Sequence, residues 1–228
     1  MTGAARTILC EDANTWLAAA AVQPGCSFIT SLPDVSELGN TSLVDWKRWF
    51  RGTAERIVTL TPEDGVAIFF QTDIKRDGVW VDKGYLVSRG AEEAGAQLLW
   101  HKIVCRAPPG TTTFGRPAYA HLLAFSRGLR ADAGRSTPDV LSALGEMTWA
   151  RAMGAEACVA ACRYVRDHTP TRTIIDPFCG QGSVLAVANA LELAAIGVEL
   201  SRKRAEKAAR LRWSAARGFH VDDPGRPS

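Results

Sequence analysis

Short apolar runs alternate along this chain with longer amphipathic stretches, and the alternation predicts an α/β fold. Seven strands are expected, at Ile8–Cys10, Ser27–Ser31, Val66–Phe70, Leu98–Val104, His121–Ser126, Thr173–Asp176 and Ala195–Glu199. Helical patterning lies near 13–21, 41–60, 82–94, 139–168, 184–193 and 201–217. Strands separated by helices of crossover length imply a mostly parallel sheet covered on both faces. The pair 98–104 and 121–126 has no helix between its members, only the Pro- and Gly-rich stretch Arg106–Pro117. That pair is expected to be antiparallel, at one edge of the sheet. Residues 127–138 read as a linker and 221–228 as a frayed tail.

Composition narrows the class. The chain has 228 residues, 46% of them hydrophobic and 22% charged, enough to bury a core in a single domain. No apolar run approaches the roughly 20 residues of a membrane span. The N-terminal stretch Met1–Asn14 does not read as a secretory signal. The six cysteines are irregularly spaced among apolar neighbours, as reduced core thiols are. A cytoplasmic protein is expected. Cys158 and Cys162 sit four apart on an apolar helix and read as core rather than metal ligands. The net charge of +3 is unevenly spread. Residues 101–135 hold six basic side chains against one acid, and 201–228 hold eight against three. Two basic blocks suit a polyanion-facing surface, although solvated helix faces give the same count.

The richest segment is Thr173-Ile-Ile-Asp-Pro-Phe-Cys-Gly-Gln-Gly-Ser183. A strand ends in Asp176, glycines follow at 180 and 182, and a helix begins near Ser183. Glycines let a ligand approach the backbone, and a helix N-terminus offers free N–H groups. The next strand ends at Glu199, where an acid can accept from ribose hydroxyls. A dinucleotide fingerprint fits less well, because Ala186 stands near the place of its third glycine.

These residues resemble the S-adenosylmethionine site of the amino-methyltransferases that modify adenine N6 or cytosine N4. The resemblance implies that Asp176, Phe178, Gly180 and Gly182 hold the methionine part of the cofactor and that Glu199 holds its ribose. It also implies a Rossmann-like, seven-stranded sheet, circularly permuted here because the two cofactor strands come last. Residues 1–220 would form one domain, with 1–138 the catalytic half and 139–220 the cofactor-binding half. In such permuted enzymes the helix before the cofactor loop borders the cofactor, which points to Gly145–Gly154. Asp12 resembles the family's adenine-contacting acid, although an acid just past a strand is also a helix N-cap.

The family carries Asp/Asn/Ser-Pro-Pro-aromatic at the end of its fourth strand, where the loop orients the target amine and stacks on the flipped base. Here the strand end reads Ser31-Leu-Pro-Asp34. Ser31 and the Leu32 carbonyl keep acceptors, Pro33 keeps the turn stiff, and Asp34 replaces the aromatic platform. Asp34 is either a general base for a ring nitrogen or a hydrogen-bonding and capping residue. Phe28, Trp46 and Trp80 are candidate replacements for the platform. Arg116, Tyr119 and His121 are candidate substrate contacts, with a structural role open for His121.

The expected function is methyl transfer to a nucleobase nitrogen, with no metal required. Nucleic acid is the expected partner. RNA is favoured over DNA because the core leaves no stretch for a large target-recognition insertion. The alternatives are a DNA amino-methyltransferase, a small-molecule methyltransferase and a cofactor-binding protein with a degraded active site.

Overall fold

The computed structural model describes residues 4–221. In chain order the elements are β1 (Arg6–Leu9), α1 (Ala13–Ala19), β2 (Cys26–Thr30), α2 (Leu43–Leu60), β3 (Ala67–Gln71), β4 (Ile74–Arg76), β5 (Val79–Val81) and α3 (Lys83–Glu93). There follow β6 (Gln97–Cys105), β7 (Tyr119–Ser126), β8 (Val140–Leu141), α4 (Ala155–His168), β9 (Thr173–Asp176), α5 (Ser183–Ala190), β10 (Ala194–Val198), α6 (Arg202–Arg210), β11 (Leu211–Ser214) and β12 (Gly218–Val221). One sheet takes the order β1-β10-β9-β2-β3-β7-β6-β8. Its first five strands are parallel, and β7 runs antiparallel to both β3 and β6.

Side chains alternate between the two faces of the buried strands, as strand geometry requires. Ile29, Ile68 and Ile174 pack against α4–α6, while Phe28, Phe69 and Ile175 pack against α1–α3. Helix α2 shows why such segments fold locally. Ser42 caps its first turn by accepting from the Asp45 N–H at 3.1 Å. Trp46, Phe50, Ala54, Ile57 and Val58 then recur at helical spacing and are all buried.

The strands of stretches 1–138 and 139–220 interleave, since β9 and β10 lie between β1 and β2. Arg6 stitches this junction. Its guanidinium donates to the carbonyls of Ala208 (2.8 Å), Leu211 (2.6 Å) and Leu185 (3.2 Å) and to Asn189 Oδ1 (2.7 Å). Arg6→Ala is therefore expected to cost about 2–3 kcal/mol by orphaning several acceptors at once. Denaturant melts measure this, and an unchanged midpoint would show that the junction holds without Arg6.

Four expectations need correction. The helix expected from 139 begins only at Ala155. Val140 and Leu141 instead pair with β6, and Gly154 packs so tightly on the Leu144 carbonyl that a Cβ there would collide with it. The apolar spacing of 145–154 imitates a helix, but the segment is a strap of turns. The helix expected to 217 ends at Arg210, after which Leu211–Val221 forms a hairpin turning through Gly218 at φ +65°. The antiparallel pair does not end the sheet, because β8 adds an eighth strand beyond β6. Finally, Val221 closes β12, so only 222–228 remain of the expected tail, and they lie outside the described residues.

Candidate functional site

The carboxyl ends of β1, β10, β9, β2 and β3 share one edge of the sheet, and the loops leaving β1, β10, β9 and β2, with the segment around Trp149–Met153, enclose a cavity of about 210 Å³. In open α/β sheets that edge is where ligands bind. Strand pairing brings the distant segments together. β2 and β9 are parallel neighbours with Phe28 opposite Ile175, so Ser31 and Asp176 reach the same cavity.

Asp176 is buried at the tip of β9. Its Oδ1 accepts from the Thr30 hydroxyl at 2.7 Å and from the Phe178 N–H at 3.1 Å. Burial raises its pKa to about 7 against those two hydrogen bonds, and nearby Glu199 adds to the rise. Both bonds fall on Oδ1, which leaves Oδ2 available to a ligand. Glu199, buried one strand away, has the same division. Its Oε1 accepts from the Ser201 N–H at 2.7 Å and faces Arg204 at 3.6 Å.

The glycines have different roles. Gly180 lines the cavity at φ +55°, and a Cβ there would come to 3.8 Å of Trp149. Gly182, at φ +85°, does not line it; a Cβ would press on the Ala208 backbone at 2.9 Å. Gly182 thus lets α5 and α6 approach, a packing role distinct from the cofactor contact expected of it. Phe178 sits at the cavity wall, with its ring edge-on to Trp49 at 6.1 Å. Asp12 caps α1 by accepting from the Thr15 N–H at 2.9 Å, and it also lines the cavity. Trp149, Arg151, Ala152 and Met153 of the strap 145–154 line the cavity, and the strap is not a helix. Arg151 ties it to Glu37 at 3.2 Å, and Arg204 reaches over the Trp149 ring at 5.4 Å.

A smaller recess of about 50 Å³ adjoins this cavity, sharing Ser31, Leu32 and Glu37 with it. Asp34 lines the recess, and its backbone N–H donates to the Glu37 carboxylate at 3.0 Å. Arg116 lines it too, together with Arg106 and Lys83.

TTHA0409 of Thermus thermophilus, described as a DNA modification methylase, superposes with a TM-score of 0.66 at 15% identity, over 90% of this chain and 92% of its own. Its complex with S-adenosyl-L-methionine matches with a TM-score of 0.64 at 18% identity. The cytosine-N4-specific PvuII DNA methyltransferase matches with a TM-score of 0.68 at 15% identity, over 91% of this chain and 88% of its own. The M1.HpyAVI–SAM complex matches with a TM-score of 0.59 at 15% identity, over 90% and 98%. No protein-family model and no curated protein sequence matches the chain. The chain has the methylase fold.

Within that methylase fold, two candidate substrate residues stand apart from both cavities. His121 is buried, with Nε2 3.1 Å from Asp73 Oδ2 and Nδ1 2.9 Å from His101 Nε2. Tyr119 packs edge-on against the His121 ring. Asp73 Oδ1 accepts the Lys83 N–H at 2.8 Å, so this chain of polar groups clamps the start of α3. Burial works to raise the Asp73 pKa, but the bonds from His121 and the backbone prevail and lower it. Asp73, Asp82 and His121 place ligand-type atoms within 4.8 Å of one another, yet these hydrogen bonds and the Asp82–Tyr85 cap (2.7 Å) already account for them.

Phe28 and Trp46 are core residues and offer no platform. Trp80 is exposed on the β4–β5 ribbon, which springs from Ile74 in the recess wall. Phe114, 90% exposed in the same loop as Arg116, went unnoticed in the sequence. Lys83 was missed as well, because a lysine opening a helix looks like a solvated residue.

Among the described residues, no helix is long and apolar enough to cross a membrane.

Proposed function

We propose that the chain is an S-adenosylmethionine-dependent methyltransferase acting on a nucleobase nitrogen in nucleic acid. The observation that carries this reading is the pair Asp176 and Glu199. Each buried carboxylate keeps one oxygen free of protein hydrogen bonds, on neighbouring strand tips flanking a glycine loop. That pair of acceptors suits a ligand with a cationic end and a sugar diol. Asp176 and Gly180 would hold the methionine part, Glu199 the ribose and Asp12 the adenine edge. When bound, the cofactor supplies a methyl group already activated as a sulfonium.

The chain's own residues do the rest. Ser31 Oγ and the Leu32 carbonyl accept from the target N–H and aim its lone pair, while Pro33 stiffens the turn. Asp34 takes the proton that leaves the nitrogen. Exposed Phe114 and Trp80 supply stacking faces outside the recess. Of the 201–217 block, Arg204 faces Glu199 and Arg202 pairs with Glu206 at 3.2 Å, so fewer cations are available to phosphates than the sequence count suggests.

Lack of room for a recognition insertion does not favour RNA, because the TTHA0409 DNA modification methylase is itself matched over 92% of its own length. DNA and RNA therefore stand as equal arms of the test.

Asp34→Asn is expected to lower turnover about 10²-fold, with cofactor affinity unchanged. Ser31→Ala should lower the rate similarly. Single-turnover rates, beside calorimetric titration of the cofactor, measure both. An undiminished rate in Asp34→Asn would remove it from the chemistry.

A further inference from the structure

The recess beside Ser31 gathers more positive charge than the surrounding protein neutralises. Lys83 is 5% exposed, yet its ammonium makes no hydrogen bond or ion pair with any described residue. The ammonium lies over the Phe50 ring, 5.8 Å from its centroid. Lysines are almost never so buried without a partner. Arg106, half-buried, and Arg116 line the same recess, and neither guanidinium has a hydrogen bond or ion pair among the described residues. Of the acids present, Glu37 is engaged by Arg151 at 3.2 Å and by the Asp34 N–H at 3.0 Å. Asp34 and Asp73 also act on Lys83 through their charge, Asp73 while held by His121 at 3.1 Å, but none of the three acids forms an ion pair with Lys83, Arg106 or Arg116 among the described residues.

We propose that this recess is an oxyanion site in which Lys83, Arg106 and Arg116 bind a phosphate group of the acceptor substrate.

Four observations support the site. The backbone that carries its lysine is anchored, because the Lys83 main-chain N–H is fixed by Asp73 and Asp73 by His121. The recess has room for about four waters, the size of one tetrahedral oxyanion. Burial lowers the pKa of Lys83 and outweighs the opposing pull of Asp34, Glu37 and Asp73, with Arg116 adding to the fall; burial and then Arg116 lower that of half-buried Arg106, and a bound anion would favour both charged forms. Ser31 and Leu32 line recess and cavity alike, so a phosphate held here would set the reach of the acceptor to the methyl site. An ammonium offers a point charge and two guanidinium forks offer paired donors, a set suited to phosphate. The substrate part of this proposal rests on the methyltransferase reading; the anion site itself does not.

The test uses the full chain. Inorganic phosphate is titrated by calorimetry and thermal shift into wild type, Lys83→Met and Arg116→Gln, without cofactor. Wild type should bind phosphate, and each variant should bind it at least 10-fold more weakly. Lys83→Met should also melt higher than wild type without phosphate, since it loses an unpaired buried charge. Arg116 is exposed, so its variant keeps the test decisive if Lys83→Met misfolds. Equal phosphate affinity in wild type and Arg116→Gln and in any folded Lys83→Met overturns the site.

Competition then identifies the source. Displacement by a single-stranded oligonucleotide assigns a backbone phosphodiester, and displacement only by a nucleoside 5′-monophosphate assigns a small nucleotide. Displacement by neither means an adventitious ion only, and overturns the substrate assignment. Failure to bind S-adenosylmethionine in a parallel titration would refute the methyltransferase reading while leaving a measured anion site in place.

Discussion

Glu199→Ala is expected to weaken S-adenosylmethionine binding about 10²-fold. Hydrogen bonds to a charged acceptor are worth about 1.5–3 kcal/mol each, and the carboxylate would take two from the ribose. A competing effect must be separated, because Glu199 also accepts the Ser201 N–H at the start of α6 and faces Arg204. Loss of that bond should lower stability by about 1 kcal/mol. Glu199→Gln keeps an acceptor for Ser201 and loses only the charge. It should therefore melt close to wild type while still binding the cofactor poorly. Calorimetry beside thermal melts reads both quantities. Wild-type affinity in the alanine variant would remove Glu199 from the cofactor site.

Asp176→Asn should have two effects of opposite sign. Burial raises the Asp176 pKa from an ordinary 3.8 to about 7, so between those values the unfolded chain has lost a proton that the folded chain keeps. Stability must then fall as pH rises through that window, and above it the ionised carboxylate costs up to about 4 kcal/mol. Asparagine keeps an oxygen for Thr30 and Phe178 and removes the ionisation. The cofactor-free variant should melt higher than wild type at pH 8 and no higher at pH 4. Cofactor binding should move the other way, because only the ionised acid pairs with a cationic ligand. Wild-type affinity should rise with pH through about 7 with release of a proton, and the asparagine variant should bind weakly at every pH. A melting difference that is the same at pH 4 and pH 8 would contradict the buried ionisation.

The cofactor loop was legible in the sequence because its signals are contiguous: an apolar strand, an acid, two glycines and a helix start within Thr173–Ser183. Ser31–Asp34 was legible as a strand end, and the parallel pairing of β2 with β9 puts it beside that loop. Other features depend on partners far along the chain. His121 looks like any strand histidine until Asp73 arrives from 48 residues away. Lys83 gives no sign of burial until α2 brings Phe50 against it. The strap 145–154 shows helical spacing, and only the close approach of Gly154 to Leu144 shows why it cannot coil. The β4–β5 hairpin carried a readable signal, Asp77-Gly78, and both residues take the positive φ that such a turn demands.

The most direct measurement incubates wild type and Ser31→Ala with methyl-labelled S-adenosylmethionine and separate pools of DNA, RNA and metabolites. The digested products are then separated by nucleoside. Label is expected on a base nitrogen in one nucleic-acid pool, at a rate that falls sharply in Ser31→Ala. Label confined to the metabolite pool, or equal labelling by wild type and Ser31→Ala, would contradict methyl transfer to a nucleobase at this site.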